Sequence, residues 1–208
     1  LARNKTELVI GDFGAGSKTF KGNKRKVSDI ASKGISSSLQ SELLYKLINY
    51  LRPTTIIELG TSLGLNTLYL SMANSRAKVY SIEGSESLFE FATSLSAKNK
   101  LTNCEIIHGK FDAVLPGLLN KINSLDLFYV DGNHTYEATL NYFNMALEKR
   151  NTDSVFIFDD IYWSEGMTRA WNDISNNAKV TLSIDAFYFG LVFFKTEVKE
   201  KVHLKILV

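Results

Sequence analysis

The residues of this chain best placed to do chemistry are acids that follow short apolar runs. Glu58 follows Thr54 to Ile57, and behind it stand Gly60 and Gly64 with three residues between them. Glu83 ends the run Lys78 to Ile82, nineteen residues after Gly64. Asp131 ends Leu125 to Val130 and is followed by Gly132, Asn133 and His134; Asp159 and Asp160 end Ser154 to Phe158. A strand, a glycine turn and a helix opening suit a small anionic or dipolar ligand. Gly60 can adopt a φ closed to other residues and admit a ligand closely, while free N–H groups at the helix start point at it. Gly64 is expected to let helix and strand pack tightly. An acid about 20 residues past such a turn is where these folds hold a ribose. The G-x-G-x-x-G of nicotinamide sites is absent, and the pattern is E-x-G-x-x-x-G.

Asp131 and Asp159 are twenty-eight residues apart. At the ends of adjacent parallel strands they share one sheet edge, the edge where open α/β sheets bind ligands. With no lysine or arginine near them in sequence, either a proton or a cation is expected among them. All-oxygen ligands suit Mg²⁺, Mn²⁺ or Ca²⁺ better than zinc. The competing reading has Asp131 capping the next helix and the Asp159-Asp160 pair solvating a loop. His134, with an ordinary pKa of about 6.5, could accept a hydroxyl proton at neutral pH, or serve only as a polar cap.

The elements that must position these groups alternate. Leu39, Leu43, Leu44, Leu47, Ile48 and Leu51 fall at helical spacing after Ser36 to Ser38 and before Pro53. Leu65, Leu68, Tyr69 and Met72 share a helical face in the next element. A helix over Ser85 to Lys100, a strand over Glu105 to His108 and a short helix broken at Pro116 come next. A helix over Tyr136 to Lys149 and another over Ser164 to Ile174 flank the run that ends at Asp159. Val180 to Ile184, Phe187 to Phe189 and Leu191 to Phe194 then read as consecutive strands, with Gly190 a turn or bulge. Five βα units and a closing hairpin predict an α/β, doubly wound, mostly parallel sheet with an antiparallel strand.

Residues 1–35 are the least patterned. Glu7 to Ile10 could be a short strand. GDFGAGSKT nearly spells a phosphate-binding loop, but Ser17 stands in the lysine position and no amphipathic helix follows. The basic run Lys18 to Lys26 reads as a solvated loop. This extension is expected to be a lid or a homodimer contact ahead of a single domain over 36–208.

Composition excludes several classes. The chain has 208 residues, 45% hydrophobic and 22% charged, so an ordinary packed core is expected. A net charge of +2 is too small to imply a polyanionic partner. One cysteine, Cys104, rules out a disulfide framework and a thiolate zinc site and fits a reducing, cytoplasmic compartment; it reads as a small residue near a strand start. No apolar run reaches the ~18 residues of a membrane span.

ELGTSLGLNT resembles the E-[LI]-G-x-x-x-G-x-[ST] turn of class I S-adenosylmethionine (SAM)-dependent methyltransferases. Within that class it is most similar to the catechol and caffeoyl-CoA O-methyltransferase branch, over about Ser36 to Lys195. The resemblance implies a Rossmann-like, seven-stranded sheet and a cofactor, SAM. It assigns Glu58, Gly60, Thr61, Ser62 and Gly64 to the methionine end of that cofactor, and Glu83, with Gly84 and Ser85, to the ribose. Phe111 and Asp112 match the segment that flanks adenine, though Asp112 could equally cap a helix. Catechol-type enzymes hold magnesium with an aspartate after the fourth strand and an Asp-Asn pair after the fifth. Macrocin-type sugar O-methyltransferases use Asp-Asp, and the counterparts here are Asp131, Asp159 and Asp160. His134 stands where the catechol branch carries a lysine base. Tyr162, Trp163 and Trp171 could wall a substrate cavity or belong to the core. The expected activity is methyl transfer to a small-molecule hydroxyl. The [DN]PP[YF] tetrapeptide of base N-methylation is missing, which disfavours nitrogen and nucleic acid as acceptors. A SAM-binding module without catalysis is the rival from another class.

Overall fold

The structure, a computed structural model, describes residues 1–11, 22–33 and 38–206. Apart from Gly11, the near phosphate-binding loop therefore lies outside the described residues. In chain order the elements are β1 (Glu7–Val9), β2 (Lys24–Lys26), α1 (Val27–Lys33), α2 (Ser38–Leu51), β3 (Thr55–Leu59), α3 (Leu65–Ala73), β4 (Lys78–Glu83), α4 (Glu86–Lys98) and β5 (Cys104–His108). They continue with α5 (Phe111–Lys121), β6 (Leu125–Val130), α6 (Tyr136–Leu147), β7 (Arg150–Asp159), α7 (Glu165–Asn176), β8 (Leu182–Asp185), β9 (Phe189–Phe193) and β10 (Val202–Lys205). Among the described residues no helix is long and apolar enough to cross a membrane.

Eight strands form one sheet in the order β10-β8-β9-β7-β6-β3-β4-β5. The order reverses between β3 and β6, both parallel to their neighbours, so the carboxyl ends of β3 and β6 open a crevice at the switch point. β9 runs antiparallel between β7 and β8. Strand alternation sends Ile57, Phe128 and Phe156 to one face, under α5, α6 and α7, and Ile56, Leu127 and Val155 to the other, under α2 and α3. Behind the acid ends Phe128, Phe143 and Phe194 all meet Phe156 edge to face, with centroids 4.9–6.3 Å apart. Such contacts add about 1 kcal/mol each beyond area burial and hold β6 and β7 in register beneath their aspartates.

Seven of the strands are those expected, and β10 is an eighth. It is four residues long, exposed throughout, and parallel to β8 at the sheet margin, so it lacks the apolar alternation that marks a buried strand. Phe187 to Phe189 is not a strand of its own. Phe187 takes φ 67°, the Tyr188 N–H donates to the Ala186 carbonyl (2.8 Å), and the chain turns there. Gly190 lies inside β9, not in a turn: a Cβ there would come within 2.4 Å of the Trp171 ring. Trp171, 5% exposed, is thus a core residue lying on β9.

Pro116 does not break α5. The carbonyl it leaves unpaired is that of Asp112, an exposed first-turn residue. The face Leu65-Leu68-Tyr69-Met72 of α3 points outward, with Met72 63% exposed, while Asn66, Thr67, Leu70 and Ser71 are buried. The last residues of the basic run, Lys24 to Lys26, form β2 and pair with β1 instead of looping.

Candidate active site

The turn after β3 alternates left-handed residues: Gly60 has φ 100°, Ser62 φ 50° and Gly64 φ 81°. Such alternation turns successive backbone N–H groups toward one side, a concavity suited to an anion. Gly60 is required on steric grounds as well, since a Cβ would fall 1.9 Å from the Asp131 carbonyl oxygen of the neighbouring strand. Gly64 abuts Ala92 of α4 (3.1 Å from its Cβ position), so its closeness serves helix against helix, not helix against strand.

Glu58 is wholly buried. One of its oxygens, Oε2, accepts from Thr67 Oγ1 and from Ser81 Oγ, each at 2.5 Å, and Ser81 in turn meets Thr61 Oγ1 at 2.5 Å. The other, Oε1, is buried without a hydrogen-bond partner among the described residues. Burial lifts its pKa to about 7 against the two hydroxyl donors, with Glu83 adding to the rise. Glu83 is placed by backbone donors: Ser62 N–H to Oε2 (2.9 Å) and Ser85 N–H to Oε1 (2.8 Å). Burial raises its pKa in spite of them. An orphaned buried carboxylate oxygen needs a donor (about 1–3 kcal/mol if left unmet). The ammonium group and ribose hydroxyls of SAM are donors of the kind Glu58 and Glu83 could accept, so the residues present fit that cofactor.

Phe111 opens α5 with its ring against Gly132, where a Cβ would sit 2.8 Å from it, and edge-on to Tyr142. It thus stands beside the switch-point crevice. Asp112 turns the other way, within 3.4 Å of Asn141 Nδ2 and the Tyr142 hydroxyl, both donating to it.

The second cluster lies at the ends of β6 and β7. Asp131 and Asp159 are hydrogen-bonded side chain to side chain, and His134 Nε2 is 3.7 Å from Asp131 Oδ1. Burial first, then the Asp160 and Glu58 charges, push Asp131 up to about 7. Burial and the Asp131 and Asp160 charges raise Asp159 as well. Burial holds His134 below its ordinary value, with Asp160 opposing. Asn133 (φ 66°), His134 (φ 31°) and Asp160 (φ 53°) are all left-handed, and backbone strain of this kind gathers at functional sites. Asp131 and Asp159 thus meet at one edge, and burial and repulsion among the acids raise both, the condition under which a proton or a cation is expected among them. Among the described residues no three His, Cys, Asp or Glu side chains converge so as to hold a metal ion.

Residues 57–161 match the family described as "Methyltransferase domain". The chain belongs to this methyltransferase family. It is also 29% identical, over 133 residues, to an uncharacterized protein of Acanthamoeba polyphaga mimivirus; the match covers 58% of this chain and 58% of that protein, so the chain spans less than two thirds of that relative. Among solved structures, an O-methyltransferase of Bacillus cereus in complex with SAH superposes with a TM-score of 0.67 at 22% identity, over 77% of this chain and 83% of that one. TomG, an O-methyltransferase of Streptomyces achromogenes in complex with SAM, gives 0.66 at 20%, over 77% and 82%. SAH-bound methyltransferase PaMTH1 of Podospora anserina gives 0.67 at 17%, over 79% and 82%. These likenesses establish the class I SAM-dependent methyltransferase fold.

In this methyltransferase, then, the sequence-derived residues gather into two groups, one around the β3 and β4 ends and one around the β6 and β7 ends. Of the aromatics, Trp163 lies 6.3 Å from the His134 ring. Tyr162 turns away, its hydroxyl donating to Asp185, and Trp171 is core. Sequence reasoning missed Thr67 and Ser81, the hydroxyls that hold Glu58. Ser81 pairs with Glu58 in the β3–β4 register, and a hydroxyl among the apolar residues of Lys78 to Ile82 was the available signal.

Proposed function

We propose that this methyltransferase moves a methyl group from SAM to a hydroxyl of a small molecule. The observation that carries the reading is the orphaned, buried Oε1 of Glu58 beside a left-handed glycine turn, with Glu58 close enough to the acids at the β6 and β7 ends for its charge to raise Asp131. When bound, the cofactor supplies an electrophilic methyl on a sulfonium. Glu58 Oε1 accepts from its amino group and Glu83 from its ribose hydroxyls, with Thr61, Ser62, Gly64, Gly84 and Ser85 shaping the two turns. Phe111 flanks the adenine; Asp112, whose carboxylate accepts from Asn141 and Tyr142, would have to turn to reach the adenine amino group.

On the acceptor side, His134 is held neutral by burial, so at neutral pH its ring can take the hydroxyl proton, with Asp131 beside it to stabilise the imidazolium formed. Orientation of the acceptor oxygen supplies much of the rate. An aromatic group borders this end: the Asp160 N–H donates to the Tyr188 carbonyl (2.8 Å), and Phe187 and Tyr188, each 49% exposed, meet edge to face. It offers an apolar wall to a small acceptor.

A divalent ion belongs to the same reading. Asp131, Asp159 and Asp160 would hold it through carboxylate oxygens, and it would acidify the acceptor hydroxyl. The donor chemistry supports this: three acids share one edge, and a cation would offset the charge they bring to it. Holding an ion also requires these side chains to turn to a common point.

The test is calorimetric titration of S-adenosylhomocysteine (SAH), followed by a methyl-transfer assay over a hydroxyl-acceptor panel with Mg²⁺ and with EDTA. Micromolar SAH binding and turnover with a hydroxyl acceptor are expected. Binding without turnover on any acceptor would favour a module that has lost catalysis. Turnover unaffected by EDTA would remove the metal.

A further inference from the structure

Leu63 sits in the glycine turn, between Ser62 and Gly64, yet it is fully buried, and by neither of the two large cores that sandwich the sheet. Its cover is the N-terminal unit. Ile10, Val27 and Ile30 form with Leu63 and Leu88 a third, separate apolar cluster. Two polar ties flank it. Gly11 N–H donates to Ser85 Oγ (3.3 Å), and Ser87 Oγ donates to the Val9 carbonyl (2.8 Å). The unit therefore grips both turns that carry Glu83's backbone donors, Ser62 and Ser85.

The N-terminal unit has little to hold it together by itself. A ribbon of two three-residue strands is too small to be stable alone, and a seven-residue helix lies below the length at which isolated helices persist. Conversely, of the three left-handed residues in the turn only Ser62 is strained, while Gly60 and Gly64 leave the backbone free to take other shapes; the turn is fixed by Thr61 on Ser81, Ser62 on Glu83 and Leu63 in the N-terminal cluster.

We propose that the N-terminal unit, residues 4–11 and 22–33, is a positioning element for the cofactor. By packing Val27, Ile30 and Ile10 on Leu63 it holds the Thr61–Gly64 turn in its ligand-binding shape, and cofactor binding in return tightens the unit. The proposal rests on the reading that SAM lies on this turn. It places the extension over the cofactor turn, where a lid for the acceptor alone would leave cofactor affinity untouched. Because coupling between two equilibria is reciprocal, it is readable from both sides.

The experiment compares SAH affinity by calorimetry in wild type, Val27→Ala, Val27→Ile and Val155→Ala, and hydrogen exchange of wild type with and without SAH. Val155 is buried to the same degree in a different cluster, so it controls for loss of stability alone. Val27→Ala is expected to weaken SAH binding about 5- to 20-fold, consistent with ordinary coupling strengths. Val27→Ile should stay within about twofold of wild type and Val155→Ala should bind normally. SAH should slow amide exchange across Lys24–Lys33 by a factor similar to the affinity loss. Equal weakening by both alanine variants, unchanged affinity in Val27→Ala, or no exchange protection in wild type overturns the coupling; the exchange measurement decides even where Val27→Ala does not fold. A wild-type protein that binds no SAH overturns the cofactor reading itself.

Discussion

At the β3–β4 end of the sheet, Glu58 and Glu83 are surrounded by neutral donors: two hydroxyls on one, two backbone N–H groups on the other. At the β6–β7 end, Asp131 and Asp159 are surrounded mainly by each other, Asp160 and His134. Both ends bury carboxylates, but only the first is solvated by the protein. Carboxylates held by neutral donors keep those partners whatever their own protonation. A cluster of like charges changes state with whatever compensates it, be it a proton or a cation. On the proposed reading the two ends have different tasks, one to hold a cofactor and the other to respond to an acceptor. Gly60 joins them, since its backbone packs on the Asp131 carbonyl.

Substitution at that junction should have the largest effect. Gly60→Ala places a Cβ against the Asp131 carbonyl at a φ of 100°. We expect a loss of about 4 kcal/mol or more, or no folded protein; a denaturant midpoint close to wild type would show that the two ends move independently. Next comes the acceptor end alone. Asp159→Ala should lower turnover by about 100-fold or more, within the range for general acid–base and electrostatic groups, and leave SAH affinity within about threefold. If the thermal midpoint rises with Mg²⁺ in wild type, Asp159→Ala should abolish that rise. Equal damage to SAH binding would erase the distinction between the ends.

Glu83→Gln tests the other end and should weaken SAH binding by about 10-fold, the loss expected for one charge-assisted hydrogen bond. Calorimetry reads it directly. The last prediction concerns Glu58. Its pKa is near 4.5 unfolded and about 7 folded, so the folded state binds the proton more tightly. The stabilisation is fully present below pH 4.5, is lost as pH rises toward 7, and changes no further above that. Glu58→Gln should therefore flatten part of the fall in SAH-free stability between about pH 4.5 and 7, measured by urea midpoints. An unchanged slope would show that Glu58 is already ionised at the lower pH.

Much of this site is legible in one dimension because strand-end acids at βα spacing have few other places to go. Five parallel strands put Glu58, Glu83, Asp131 and Asp159 on one edge by topology alone, and the glycines announce the turn. What misled was local. Pro116 reads as a break, but its missing N–H matters little beside an exposed first-turn carbonyl. Gly190 reads as a turn until Trp171, nineteen residues earlier, is seen lying on it. The outward face of α3 is the more apolar one, because its inner face must supply the hydroxyl that holds Glu58.

By itself, the sequence determined most of the alternation of strands and helices, the class of fold, the glycine turn and the edge on which the acids meet, since periodicity and turn chemistry act between near neighbours. Only the tertiary structure decided which oxygen of Glu58 is left without a donor, that Asp131 and Asp159 meet side chain to side chain, and that the N-terminal unit buries Leu63. Each of these depends on distances between residues far apart in the chain and on exclusion of water, which no spacing along a chain encodes.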